Sequence, residues 1–328
     1  MPRLSWKQTD RSVLILRPGG FGVNPNPPAI PPVLQPGYVT TTPPGSRPPE
    51  IPPTVGRLFG TSARFSCQQL AEFSALHAAF PAHCWGELGA GTVRGVCGRY
   101  VSVSSPTILA ERFHVEEVRT EPTEANYNVA PRADVPVVAE SRGTRVLDLV
   151  RWGLVPSWAK SLSIGDRMIN ARADRLLTSN AFKRAFERRR CIVPADGFYE
   201  WQVVEGRRQK QPWFIRRRDG EPIAFAGLWE IWHDPELGDD APRIRSFTII
   251  TTEPNHVMRP IHDRMPVILP ESAWDSWLDA DNRDVGALSK LLVPAPDADL
   301  ELWPVSTLVN KASENSPALL DPAPVDSH

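Results

Sequence analysis

From residue 96 onward the apolar residues fall into short runs separated by polar turns, a texture of many strands and few helices. Residues 135–140 and 145–154 lie on either side of a polar stretch at 141–144, which predicts two strands joined by a turn. Further runs at 191–194, 213–217, 223–229, 246–252 and 266–269 predict strands, as does one near 300–305. Ser105-Pro106 ahead of Ile108, Leu109 and Phe113 predicts a helix with Ser105 at the N-cap and Pro106 in the first turn. Leu176, Leu177, Phe182 and Phe186, with basic residues closing the segment, predict a long helix over 171–190 that has Asn170 at its mouth. Two short helices are expected at 271–278 and 285–292, and 311–317 is expected to return to the site as a terminal loop. Strands in hairpin-like succession, without a βαβ rhythm or an internal repeat, give an α+β fold class: a mostly antiparallel sheet or partial β-barrel with peripheral helices.

The first 95 residues have a different texture. They hold 15 of the 35 prolines, including Pro-Pro at 27–28, 31–32, 43–44, 48–49 and 52–53. Each proline removes a donor and extends its predecessor, so a disordered proline-rich stretch is expected, with a short helix possible only at 68–79. The expected division is therefore 1–95, a folded domain over 96–320, and a tail over 321–328.

Composition narrows the function classes. The chain carries 37 basic and 38 acidic residues; 34 of the acids and 29 of the bases follow residue 95, a net charge of −5 there. That balance excludes whole-surface attraction to nucleic acid and leaves room only for a local basic patch. No run of 18 apolar residues and no charged-then-apolar leader is present, so neither a membrane span nor a secretory signal is expected. Cys67, Cys84, Cys97 and Cys191 show no paired spacing, which points to reduced thiols in a cytoplasmic protein.

Reactive side chains gather at four turns: Cys97-Gly98-Arg99; Asn170-Ala171-Arg172-Ala173-Asp174; residues 194–201, where Gly197 leads to Glu200 between Tyr199 and Trp201; and Ile261-His262-Asp263-Arg264-Met265-Pro266. Singly, each has an ordinary explanation. A lone cysteine is most often an inert small hydrophobe, and Asn170 is a competent helix cap. Cys97, His262 and Glu200 together suggest a thiol working with a base, and leave the substrate open. Cys191 and His262 lack companions at zinc-ligand spacing, so no metal or other cofactor is expected.

These clusters, with Tyr127-Asn128-Val129-Ala130-Pro131 and Arg151-Trp152-Gly153-Leu154-Val155-Pro156-Ser157-Trp158, occur in one order that resembles the SOS-response-associated peptidase (SRAP) family, the abasic-site-processing proteins. The resemblance implies a monomer that senses abasic sites in single-stranded DNA and captures them covalently through the amine and thiol of an N-terminal Cys97. It also implies autoproteolytic exposure of that cysteine, and a cytoplasmic location, at the nucleoid when damage is bound. It makes Cys97, Asn170, Glu200 and His262 catalytic. Arg99, Arg172 and Arg264 would grip phosphates, Thr251 would add a backbone-oxygen contact, and Trp158 and Trp201 would stack on bases. Glu200 is expected to be a general acid/base whose aromatic neighbours desolvate it. Asp174 departs from the glutamate more usual after Asn-Ala-Arg-Ala.

In that family the cysteine follows the initiator methionine, whose place Val96 takes here. Translation starting at position 96 from a GTG codon is the expectation; a leader cleaved between Val96 and Cys97 is its rival. Two other classes stay open: a peptidase acting on peptides, and a non-enzymatic single-strand binding module.

Overall fold

Two β-sheets sharing one core organise the described residues, 98–238 and 241–323 in the computed structural model. The proline-rich stretch, the helix expected at 68–79 and Cys97 itself lie outside them. The strands are β1 (Arg99–Ser102), β2 (Glu117–Val118), β3 (Asn126–Val129), β4 (Asp134–Ser141), β5 (Thr144–Trp152), β6 (Asn170–Arg172), β7 (Arg190–Ala195), β8 (Gly197–Gln202), β9 (Gln211–Arg217), β10 (Ile223–Trp232), β11 (Ile244–Thr252), β12 (Met265–Pro266) and β13 (Leu300–Pro304). The helices are α1 (Pro106–Arg112), α2 (Lys183–Arg188), α3 (Trp274–Leu278) and α4 (Val285–Lys290).

One sheet has the order β13-β9-β8-β1-β3, antiparallel throughout. The other runs β12-β11-β10-β7-β4-β5-β2. In it β11 also pairs in parallel with β5, so β11-β10-β7-β4-β5 closes into a ring, the partial barrel expected from the sequence. The strand β6 joins β11 on a parallel register.

Alternation along the strands decides which core each residue joins. On β7, Cys191 and Val193 enter the core between the sheets with Tyr100, Phe198, Phe225 and Phe247. Ile192, between them, faces the opposite way and packs with Phe113, Phe186, Trp274 and Trp277 beneath the helices. A smaller cluster of Val101, Tyr199 and Phe214 with Val305, Val309 and Leu319 lies under the C-terminal turns. Arg190, 2% exposed, donates to the carbonyls of Phe186, Trp277, Asp279 and Asn282 and ties α2 to the end of α3. Among the described residues no helix is long and apolar enough to cross a membrane.

The predicted strands and short helices form with shifts of a few residues, and Ser105 caps α1 as expected, accepting from the Ile108 N–H. The long helix over 171–190 does not form. Residues 170–172 are strand, Ala173–Arg175 is a 3₁₀ turn, and only Lys183–Arg188 is α-helical. Leu176 and Phe186 reach the same core from separate turns, which mimics helical spacing. The intervening Thr178, Ser179 and Asn180 are residues whose side chains compete for backbone hydrogen bonds. Asn170 is accordingly a strand residue, not a helix cap.

Strand β8, read from sequence as a turn leading to an acid, is a central strand. Its first residue must be glycine: a Cβ at Gly197 would lie 2.3 Å from the Phe214 ring and 2.8 Å from the Ile215 carbonyl oxygen. Gly197→Ala is expected to cost about 1–3 kcal/mol or more, the range for overpacking a close-packed core, read from urea unfolding midpoints.

Candidate active site

The strand that follows Cys97 in the sequence is fixed on all sides. Arg99 opens β1 opposite Tyr199 of β8, and Tyr100 faces Val129 of β3 across the other edge. Asp196 ends the strand: its carboxylate accepts from the N–H groups of Val103 and Ser104 at 2.6 and 3.0 Å, and from the Ser104 hydroxyl. The Arg99 guanidinium donates to Asn128 Oδ1 and to the Val309 carbonyl, both at 2.9 Å. Asn128, 3% exposed, shares its amide hydrogens among the carbonyls of Val309, Lys311 and Glu314 at 2.9–3.2 Å. Asn315 Oδ1 accepts from the Tyr127 N–H. The segment 309–315 thus returns to the base of β1, as the sequence led us to expect.

Glu200 shares a face of β8 with Phe198, so its carboxyl is directed inward, and it is 1% exposed. Tyr199 and Trp201, its neighbours along the strand, pack on the opposite face. Two residues on, Gln202 bonds the Pro260 carbonyl through Nε2 at 3.0 Å and accepts from Trp213 Nε1 through Oε1. That contact ties the end of β8 to the turn holding His262. Trp201 donates from Nε1 to Asn310 Oδ1 at 2.7 Å.

The remaining groups are assembled along β11. Its Ile249 and Thr251 lie beside Asn170 and Arg172 of β6, while on the other edge Thr251 pairs with Pro266 of β12. Arg264, just ahead of β12, is held by Thr251 through the hydroxyl at 3.2 Å and the carbonyl oxygen. Asp174 takes Arg172 in a two-point pair at 3.0 and 2.8 Å and lies 3.8 Å from Arg264 Nη1. Both ends of the Arg172–Asp174 pair are half-exposed, and such pairs contribute roughly 0–1 kcal/mol, so an incoming phosphate can compete for the guanidinium. Arg172, Asp174, Thr252, Glu253, Arg264 and Ser289 line an open cleft of about 530 Å³.

His262 Nδ1 lies 3.2 Å from the Arg264 N–H and 2.8 Å from Asp263 Oδ1. The two contacts belong to different protonation states: bare Nδ1 accepts from the amide, whereas protonated Nδ1 donates to the carboxylate. Burial holds the imidazole below its ordinary pKa, and Lys210 and Arg264 add to it; Asp263, largely exposed, pulls the other way. The neutral form is favoured in the fold.

The sequence candidates therefore separate. Asn170, Arg172, Thr251, His262 and Arg264 gather at one edge of the larger sheet, while Glu200 lies on β8, whose Gln202 bonds the turn leading to His262. Arg99 and Trp201 are engaged with the 309–310 turn. Trp158 is 58% exposed, and no hydrogen bond, ion pair or ring contact among the described residues joins it to the cluster. Cys191 is sealed in the core with its thiol pKa pushed up by burial, which removes it as a nucleophile. No three His, Cys, Asp or Glu side chains gather as a metal site among the described residues. Sequence reading missed the work of Asn128, Asp196 and Gln202. Asn128 carried one signal: an amide beside Val129 in a strand, where a buried polar group must find partners.

A domain of two such sheets with these motifs at its edges has counterparts among known proteins. The SOS response associated peptidase (SRAP) family model matches residues 96–312, and the chain belongs to that family. It is 39% identical over 227 residues to the abasic site processing protein YoqW of Bacillus subtilis (strain 168), covering 69% of this chain and 99% of that one. It is 32% identical over 235 residues to the abasic site processing protein HMCES of Rattus norvegicus, covering 60% of this chain and 65% of the other. A crystal structure of a protein from Bacteroides thetaiotaomicron superposes with a TM-score of 0.62 at 25% identity, covering 69% of this chain and all of that one.

This geometry generates two expected outcomes. Asn128→Ala removes the side-chain donor from the carbonyls of Val309, Lys311 and Glu314, of which the first two keep Arg99 Nη1 and the Glu314 N–H. It is expected to cost about 1–3 kcal/mol and to speed amide hydrogen exchange over 307–315. Because the folded pKa of His262 is depressed, its contribution to stability is present above about pH 6.5, the ordinary histidine value, and is lost as pH falls through the folded value. NMR titration should place its midpoint below about 6.5, and lower still in Asp263→Asn, which lacks the carboxylate that favours the imidazolium.

Proposed function

We propose that the chain captures abasic sites in single-stranded DNA by a covalent link to Cys97, with residue 97 as the N-terminus. The observation that carries the reading is the buried Glu200 carboxyl on the strand beside β1, tied through Gln202 to the turn of His262, with Arg172 and Arg264 opening on a neighbouring cleft. A buried carboxyl, a neutral imidazole and an adjacent pair of guanidiniums suit proton transfer on a sugar held by its phosphates. The chain's similarity to proteins named for abasic site processing supports the substrate class.

An abasic deoxyribose exists partly as a ring-opened aldehyde. An α-amine, with a pKa near ~7.7–8.0, is partly neutral at pH 7, whereas a lysine amine near ~10.4 is almost wholly protonated. The Cys97 amine adds to the aldehyde carbon and water leaves, giving an imine. The Cys97 sulfur then adds to the imine carbon and its proton passes to nitrogen, closing a five-membered thiazolidine. Holding both nucleophiles on one residue makes the second step intramolecular and fast. Glu200 delivers and removes protons at the amine and sugar oxygens, and in reverse assists release of the link. His262 serves the sugar hydroxyl during ring opening. Asn170 orients the amine or sugar by hydrogen bonds, and Arg172 and Arg264 hold the flanking phosphates. Trp158, exposed, and Trp201 stack on neighbouring bases. Arg99 sets the position of β1 and, through it, of the residue that reacts.

The reading also has the domain act as a monomer in the cytoplasm, at the nucleoid when damage is bound, and expose its own cysteine where a leader precedes it. The form beginning at Cys97, incubated with a single-stranded oligonucleotide carrying one abasic site, is expected to give a slow-migrating adduct on denaturing gels. Cys97→Ala and acetylation of the α-amine should each abolish it. Persistence of the adduct after amine acetylation would overturn the thiazolidine route, since peptide-type thiol chemistry needs no free amine.

A further inference from the structure

Beyond the cleft, the segment after Arg172 carries a second basic surface. Lys183, Arg184 and Arg188 of α2, with Asn180 and Glu187, line a separate open groove of about 430 Å³. All three cations are exposed, as is Arg175 just upstream, and none has an ion pair or side-chain hydrogen bond within the described residues. Several other guanidiniums of this acidic domain are tied to carboxylates, as at Arg112, Arg132, Arg145, Arg216, Arg217 and Arg245. Glu187 is the single carboxylate lining the groove, against three cations.

One stretch of chain lines part of the cleft and then the groove. Ser179 N–H donates to the Arg175 carbonyl at 3.0 Å, and Lys183 N–H to the Ser179 carbonyl at 2.9 Å, so Arg175, Ser179 and Lys183 sit on successive turns. Eleven residues separate Arg172, at the end of β6, from Lys183, which opens α2.

We propose that Lys183, Arg184 and Arg188 form a phosphodiester-binding surface that carries the DNA flanking the lesion away from the Arg172–Arg264 cleft. The assignment rests on the proposed capture of abasic sites. The phosphates belong either to the continuing single strand or to a flanking duplex, and the direction of exit is 5′ or 3′. Solvated cations on a short helix would also be exposed; what sets these apart is the groove they share, with one carboxylate against three cations, on the segment that follows Arg172.

The test uses the form beginning at residue 97 with Cys97→Ala, which lacks the thiol of the covalent link, as the parent (wild-type at the three basic positions), so that binding stays at equilibrium. Fluorescence anisotropy from 50 to 200 mM salt compares a five-nucleotide strand with a central abasic site against 20-mers carrying the lesion near either end, single-stranded or with the long arm in duplex. For the substitution Lys183→Ala with Arg184→Ala and Arg188→Ala, affinity for at least one 20-mer is expected to fall about tenfold or more. The salt slope should drop by about two, as for three lost single-strand phosphate contacts, while the five-nucleotide strand binds unchanged. Alanine favours the helix, and the charge-keeping set Lys183→Arg, Arg184→Lys and Arg188→Lys should retain the slope. Unchanged slopes on every 20-mer, with parent binding intact, would overturn the surface alone. Failure of the parent to bind any of the strands would overturn the proposed function with it.

Discussion

The bond set that the site depends on is the clasp between Arg99, Asn128 and the carbonyls of 309–314. Asn128 is buried, and its amide is shared among three acceptors from a segment some 180 residues away. Loss of that donor takes a bond from each carbonyl, though Val309 and Lys311 keep Arg99 and the Glu314 N–H, and a buried acceptor left short costs more than the modest gain from making the bond. The clasp therefore does more to forbid alternatives than to add stability. It holds the C-terminal turns against β1 and β3 and gives Trp201 the Asn310 amide as a fixed partner. The residue proposed to react sits two positions before Arg99, so the clasp fixes the strand that follows it.

Around that clasp the charges are arranged in pairs that water can still reach. Asp174 stands between Arg172 and Arg264, and both cations favour its charged form. An aspartate in place of the longer glutamate keeps the carboxylate near its own backbone, where it reaches Arg172 at two points but stands 3.8 Å from Arg264. Arg264 is instead oriented by Thr251, which fixes its Nε and Nη2 edge and leaves Nη1 toward the cleft. The shorter acid thus splits the tasks: one guanidinium positioned by a carboxylate, the other by a strand.

Much of this was legible in the amino-acid sequence because local rules and tertiary packing agreed. The turn at 141–144 forms a two-residue hairpin in which Arg142 and Gly143 both take positive φ, 55° and 77°, the twist that suits paired strands. Ser105 and Pro106 start α1 as their chemistry dictates. Legibility failed where tertiary contact overrode pattern. The apolar spacing of 171–190 is helical, yet β11 recruits Asn170–Arg172 as a strand, and the polar run at 178–180 interrupts the helix before Lys183. The family's motifs named candidate residues but not where the fold places each. Asp196 and Asn128 turn out to shape the strand, and that depended on partners 92 and 181 positions distant.

The double pairing of Thr251 has a bearing on how such a domain can diversify. Its backbone is matched on one edge to Arg172 and on the other to Pro266, so a single strand sets the register of both cation-bearing segments. Loops that join those segments can lengthen or shrink between species without disturbing the pair. Deleting one residue inside β11 would turn every later side chain to the opposite face, and both guanidiniums would lose their alignment at once.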